Sequence, residues 1–242
     1  MFDRAKYKSF ARTQLKSRMG IPIFMTLVLF ILTVIIEIPI FRSIFSIYQS
    51  TILQGIPNSL ELFEQSLREF QKSSIATLLA WLRLIVIVIV VMAQTHVYLK
   101  MSRSPDAVHA SDFFEGFTLY LRALFAAMWQ YIFIFLWTLL FVIPGIIKMI
   151  AYSQTNYIVA EFKNVPVLEA LNISKKITKG HKWNLFILDL SFIPWYLLGY
   201  LTLGLAFLWI TPYIRMTKIN AYHALLKEAV ENNIITTQEL GY

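Results

Sequence analysis

The sequence contains no cysteine, so disulfides, thiolate nucleophiles and sulfur-ligated zinc sites are excluded. Charge is also scarce. Only 15% of the 242 residues are Asp, Glu, Lys or Arg, where soluble domains carry about 25%. His96, His109, His181 and His223 are scattered, and no two stand at the spacing that puts a metal-binding pair on one helix face. Walker loops, dinucleotide fingerprints, His-Glu-x-x-His and Gly-x-Ser-x-Gly are all missing. These absences lead us to expect a non-enzymatic chain without metal or cofactor.

What the chain has instead is apolar length. Hydrophobic residues make up 57% of it, and they are gathered into blocks. Ile21 to Ile36, Leu84 to Ala93 and Ala123 to Ile147 contain no ionised side chain. A helix needs roughly 20 mostly apolar residues to cross a bilayer core of ~30 Å. The pattern predicts an all-α polytopic transmembrane bundle of about six spans, at 20–41, 74–99, 121–143, 146–162, 182–198 and 202–222. A turn at Pro144-Gly145 would reverse the chain between the third and fourth. Residues 1–19 read as a retained basic cytosolic arm, because the apolar stretch after them is too long for a signal-peptide core. Residues 20–226 form one transmembrane domain, and 227–242 a cytosolic tail.

Three amphipathic helices should join the spans. In the outer loop 49–73, Asn58 can cap a helix with Glu61 three residues on, followed by Leu60, Phe63, Leu67 and Phe70 on one face. Ser111 can cap a short interfacial helix carrying Phe113, Phe114 and Phe117. In the cytosolic segment 163–180, Pro166 to Lys179 ends with Lys175, Lys176 and Lys179 against the helix dipole, and Gly180 is a natural stop.

The net charge of +8 flanks the apolar blocks, which is the mark of membrane orientation rather than of nucleic-acid binding. With both termini in the cytosol, all but Arg42, Arg68, Lys72, Arg83 and Lys148 of the 22 basic residues face inward. The inverse topology would violate the positive-inside bias. A cytoplasmic-membrane protein with N-in and C-in termini follows.

Phe141 to Lys148, "FVIPGIIK", then Tyr152, Tyr157 and "KGHKW" at Lys179 to Trp183, resemble the bacterial polytopic membrane proteins of domain of unknown function 975. The likeness continues through Phe186 to Ile214, and more loosely at Gln14 to Ile23. It implies a bacterial membrane protein with roughly this span count and brings no activity or ligand.

Ionisable residues inside spans mark functional candidates, because their desolvation costs ~2.5–3.5 kcal/mol. Asp189 lies about 9 Å into the fifth span, at a depth near Gln154 and Asn156 of the short fourth one. Together with Lys148 they could line a polar cavity, and Pro- or Gly-interrupted segments such as Pro144-Gly145 and Pro194 point to such sites in transporters. The competing reading is that these groups only fix helix packing. Glu37 and Arg83 form a candidate intramembrane ion pair. The expected function is a transporter-like or lipid- or amphiphile-binding module, or an accessory subunit, with membrane lipids or another membrane protein as partner. The alternative is a structural or immunity-type interaction protein, and a third, less favoured reading is an intramembrane lipid-processing enzyme with Asp189 or Glu37 as acid or base. Removing one member of a buried ion pair typically costs 3–5 kcal/mol. Glu37→Leu and Arg83→Leu together should therefore recover much of the thermal stability that either loses alone; additive losses would rule the pair out.

Overall fold

The computed structural model describes residues 2–33, 48, 64, 74–106 and 108–241. Its elements are α1 (Arg4–Leu15), α2 (Gly20–Thr33), α3 (Ser74–Arg103) and α4 (Ala110–Gly116). They continue with α5 (Tyr120–Leu140), α6 (Val142–Ala151), α7 (Thr155–Glu161) and α8 (Val167–Ile177). The chain ends in α9 (Lys182–Leu190), α10 (Ile193–Leu201) and α11 (Phe207–Glu231). There is no strand among the described residues, so the all-helical class holds.

Among the described residues three stretches are long and apolar enough to cross a membrane: Trp81–Arg103, Ala110–Leu140 and Lys182–Leu201. A fourth arises if α1 and α2, bent by 99°, count as one. About six spans were expected: the first, 20–41, runs past the described residues after Thr33, and the sixth, 202–222, falls largely in α11, which is not among these stretches. The stretch 146–162 is divided by a turn at 152–154, and 182–201 by another at Ser191-Phe192. Phe141 adopts extended backbone and ends α5, so the reversal falls three residues before Pro144-Gly145. Pro144 occupies the first turn of α6, where a missing N–H costs nothing. Gly145 allows α6 to close on α5, since a Cβ there would sit 2.2 Å from the Thr138 hydroxyl.

The chain divides into two compact units, residues 1–26 with 88–242, and residues 27–87. In the second unit the described parts are the end of α2, Tyr48, Glu64 and the start of α3. Leu78, Trp81 and Leu82 of α3 are exposed apolar side chains. The helix expected after Asn58 and the residue Glu37 lie outside the described residues.

In the first unit α1 is capped by Asp3, whose side chain accepts the Lys6 N–H. Tyr7, Ala11 and Leu15, at four-residue spacing, make its buried stripe. Tyr7 joins Leu188, Phe192, Ile210, Ile214 and Ala221 in one apolar cluster, fixing α1 along α11. The cap of α4 is His109 rather than Ser111, and its N–H donates to Asp112 at 2.9 Å. Phe113 is buried while Phe114 is exposed.

The expected cytosolic helix appears as α8, stopped by Gly180 at φ 87°. Its role is not peripheral. Ala170, Leu171, Ile173, Ser174 and Ile177 are buried, and α8 packs on α5, α7 and α11. The Ser174 hydroxyl donates to the Ala151 carbonyl at 2.8 Å and accepts the Gln154 N–H at 3.2 Å. Thr178 adds a bond to the same carbonyl. One hydroxyl thus satisfies both sides of the break between α6 and α7. Leaving buried polar groups unpaired costs about 1–3 kcal/mol. Ser174→Ala should lower unfolding stability by about that amount, measured by thermal or denaturant melting in detergent, whereas an unchanged midpoint would show that the bridge is dispensable.

Candidate functional site

The candidate cavity is built by α1, α10 and α11. It is an open depression of about 390 Å³. Trp195, Trp209, Ile210 and Tyr213 form its walls, and Arg12 and Lys16 bring the positive charge. The Arg12 guanidinium lies 5.7 Å from the Tyr213 ring centre, and Trp195 meets Tyr213 edge-on at 5.8 Å. The stripe that buries Tyr7, Ala11 and Leu15 fixes the rotation of α1. Arg12 and Lys16, next to that stripe and one turn apart, then reach the cavity together. No carboxylate, imidazole or thiol lines it. Such a site can hold an apolar chain against aromatic walls while the cations meet an anionic headgroup.

In the sequence Arg12 and Lys16 count only among the orientation charges. Their convergence was not visible, because it depends on α1 folding back against α11. The four-residue spacing of Tyr7, Ala11 and Leu15 was the one signal that α1 has a face to bury.

The four residues expected to line a polar cavity each have other surroundings. Asn156 accepts from the Gln130 amide at 2.9 Å, and the Lys148 ammonium sits 4.3 Å from the Trp137 ring centre. Asp189 pairs with Lys218 of α11 at 2.7 Å, its side chain half exposed. Gln154 is buried at the α6–α7 break, where its side-chain carbonyl and the Thr155 hydroxyl have no hydrogen-bond partner among the described residues. The cavities at α1, α3, α10 and α11 include none of the four. Glu37 lies outside the described residues, and Arg83 has contacts of its own.

A second cavity of about 790 Å³ opens where α3 ends between α1 and α11. It is polar. Asn220 donates to the Tyr7 carbonyl and to Gln14, and Gln14 donates to the Ser102 carbonyl. Ser102 and His223 share a hydrogen bond of 2.8 Å. Beside it Glu161 is held by Arg103 and by the Tyr222 hydroxyl, at 2.5 Å. The network ties α1, α3, α7 and α11 at one end of the unit.

Residues 139–229 match the family described as protein of unknown function (DUF975). This agrees with the resemblance seen at Phe141–Lys148 and Lys179–Trp183. No curated protein and no solved structure matches the chain.

Burial first, and Arg103 second, push the His223 imidazole down to about 4. Folded His223 therefore stays neutral where the unfolded residue, near 6.5, takes a proton. Its site costs nothing above pH 6.5, and stability falls as pH drops from there toward 4. His223→Gln, which keeps a hydrogen-bonding group but does not titrate, should flatten part of that fall in melts across this window. An identical pH profile would locate the acid sensitivity elsewhere.

Proposed function

We propose that this chain is a non-enzymatic, multi-pass protein of the bacterial cytoplasmic membrane that binds a lipid or similar amphiphile. Both termini are cytosolic, so the chain crosses the membrane an even number of times. The orientation rests on the distribution of Lys and Arg, the environment on the apolar helices. The observation that carries the binding reading is the cavity of Arg12, Lys16, Trp195, Trp209 and Tyr213. Its walls are aromatic and apolar, and two cations meet whatever polar end the occupant presents. Few convergent polar groups on an otherwise apolar lining is the usual make-up of a small-molecule site. Arg and Lys near a membrane surface contribute ~1 kcal/mol each toward anionic lipids.

Removing both cations, as Arg12→Ala with Lys16→Ala, should weaken anionic-lipid binding by about 2 kcal/mol, roughly thirtyfold. Trp209→Ala should weaken binding of anionic and zwitterionic lipids alike. Native mass spectrometry of the purified protein, titrated with phosphatidylglycerol and phosphatidylcholine, reads both effects. Retention that ignores all three substitutions would remove the cavity as the site.

A further inference from the structure

The stretch Lys182–Leu201 is long enough to cross a membrane, but its charge and its break say otherwise. It contains Asp189, and it is broken at Ser191-Phe192. At that break Lys8 of α1 donates to the Ser191 hydroxyl at 2.7 Å and lies 4.8 Å from the Phe192 ring centre. On the returning arm Arg12 lies over Tyr213, and Lys218 pairs with Asp189. Cations and carboxylate therefore gather at the base of the α10–α11 hairpin. Trp195, Tyr196, Trp209 and Tyr213 sit in the same region, as aromatic rings do at a headgroup boundary. Beyond that base there is no charge, since Leu190 to Ile214 hold no ionised residue.

From Tyr213 to the turn at Leu203 is about 15 Å at 1.5 Å per residue. The hydrocarbon core is ~30 Å thick. A hairpin anchored by charges at its base reaches about halfway.

The turn itself is built for a place without water. Leu201, Leu203 and Leu205 are 82%, 91% and 63% exposed, and no charged residue accompanies them. Leu203 takes φ 52°, a conformation that Gly, Asn or Asp ordinarily supplies in an aqueous turn. Each backbone N–H from Thr202 to Ile210 is bonded within the hairpin. The Gly204 N–H donates to the Gly199 carbonyl at 2.9 Å, and the Ala206 N–H to the Thr202 hydroxyl at 3.0 Å. Thr202 in turn donates to the Leu198 and Gly199 carbonyls. Backbone in hydrocarbon needs partners for its polar groups within the protein, and this turn supplies them for every one of these donors.

We infer that α10 and the first two turns of α11 form a re-entrant hairpin, whose partner is the acyl region of a single leaflet. It enters and leaves on the side of α1, which is the cytosolic leaflet under the proposed orientation. The hairpin leaves that orientation unchanged, because entry and exit on one face add no crossing.

Leu201→Cys and Leu205→Cys test this in a chain with no native cysteine. Both side chains are exposed, so the replacements leave packing alone. In intact cells neither should react with a membrane-impermeant maleimide, nor in inverted vesicles, while both should react after detergent solubilisation. Labelled with bimane and reconstituted in phosphatidylglycerol–phosphatidylcholine liposomes, both should be quenched more by a nitroxide deep on the acyl chain than by one on the headgroup. Reaction from outside intact cells, or stronger quenching by the headgroup nitroxide, would overturn the hairpin and restore a crossing pair of spans. Lys179→Cys reports orientation separately. Its reaction only in inverted vesicles supports the cytosolic assignment. Reaction in intact cells would move the hairpin to the outer leaflet and overturn the topology without touching re-entry.

Discussion

The described bundle depends on one hydroxyl. Between α6 and α7 the helix stops, and the Ala151 carbonyl and the Gln154 N–H each lose their helical partner. In apolar surroundings each would cost several kcal/mol. Ser174 bonds both, accepting from Gln154 and donating to Ala151. A Ser side chain has the donor and acceptor needed and is short enough to work from a neighbouring helix at close range. The bridge fixes α8 in the interior instead of on the surface, and α8 then sets where α9 begins. The order of dependence runs from that break to α8, and from α8 to the elements that carry the cavity.

A second set of ties closes the same end of the unit. The Arg122 guanidinium donates to the carbonyls of Phe162, Lys163 and Val165 in the loop between α7 and α8. Glu161, at the end of α7, takes Arg103 and Tyr222. The C-terminal tail folds back, with Ile235 and Leu240 buried and Glu239 paired with Lys176. The Lys176 ammonium, helped by the Thr236 N–H, holds the Glu239 carboxyl below the usual range. Polar groups therefore organise one end of this unit. The opposite ends of the hairpins are apolar, with Leu139, Phe141 and Ile143 on one tip and Leu201, Leu203 and Leu205 on the other.

The helical class was legible because Ile21–Ile36, Leu84–Ala93 and Ala123–Ile147 admit no other economical arrangement of their backbone groups in a membrane. The stop at Gly180 was legible from its neighbours in the last turn of α8. The breaks were not. A run such as Leu190 to Ile214 is apolar whether it crosses or doubles back, and hydropathy does not register a turn whose hydrogen bonds are closed by a single threonine. Asp189 was visible as an anomaly, but its partner was not, since Lys218 lies 29 positions away and had been counted among orientation charges. The cavity was hidden for the same reason. Arg12 and Trp209 come together only because the stripe of Tyr7, Ala11 and Leu15 requires α1 to lie against α11.

Cavity and hairpin share residues, and that sharing constrains what can be bound. Trp195 begins the hairpin just beyond its first break, and Trp209 and Tyr213 belong to its return. An occupant with its polar end at Arg12 and Lys16 would therefore run its apolar part along the hairpin, into the depth the tip reaches. Gly199 lets the two arms approach closely, since a Cβ there would meet the Phe207 ring at 2.3 Å. A bulkier residue would spread the arms and tilt Trp209 with them. The hairpin is then the wall of the site as well as its anchor in the leaflet. An amphiphile entering from that leaflet already has its headgroup at the level of the cations and its chain beside the hairpin, so it need not turn over to bind. A lipid from the opposite leaflet would have to carry its headgroup through the hydrocarbon first, at the desolvation cost that buried polar groups incur. Selection of one leaflet follows from where the charges stop.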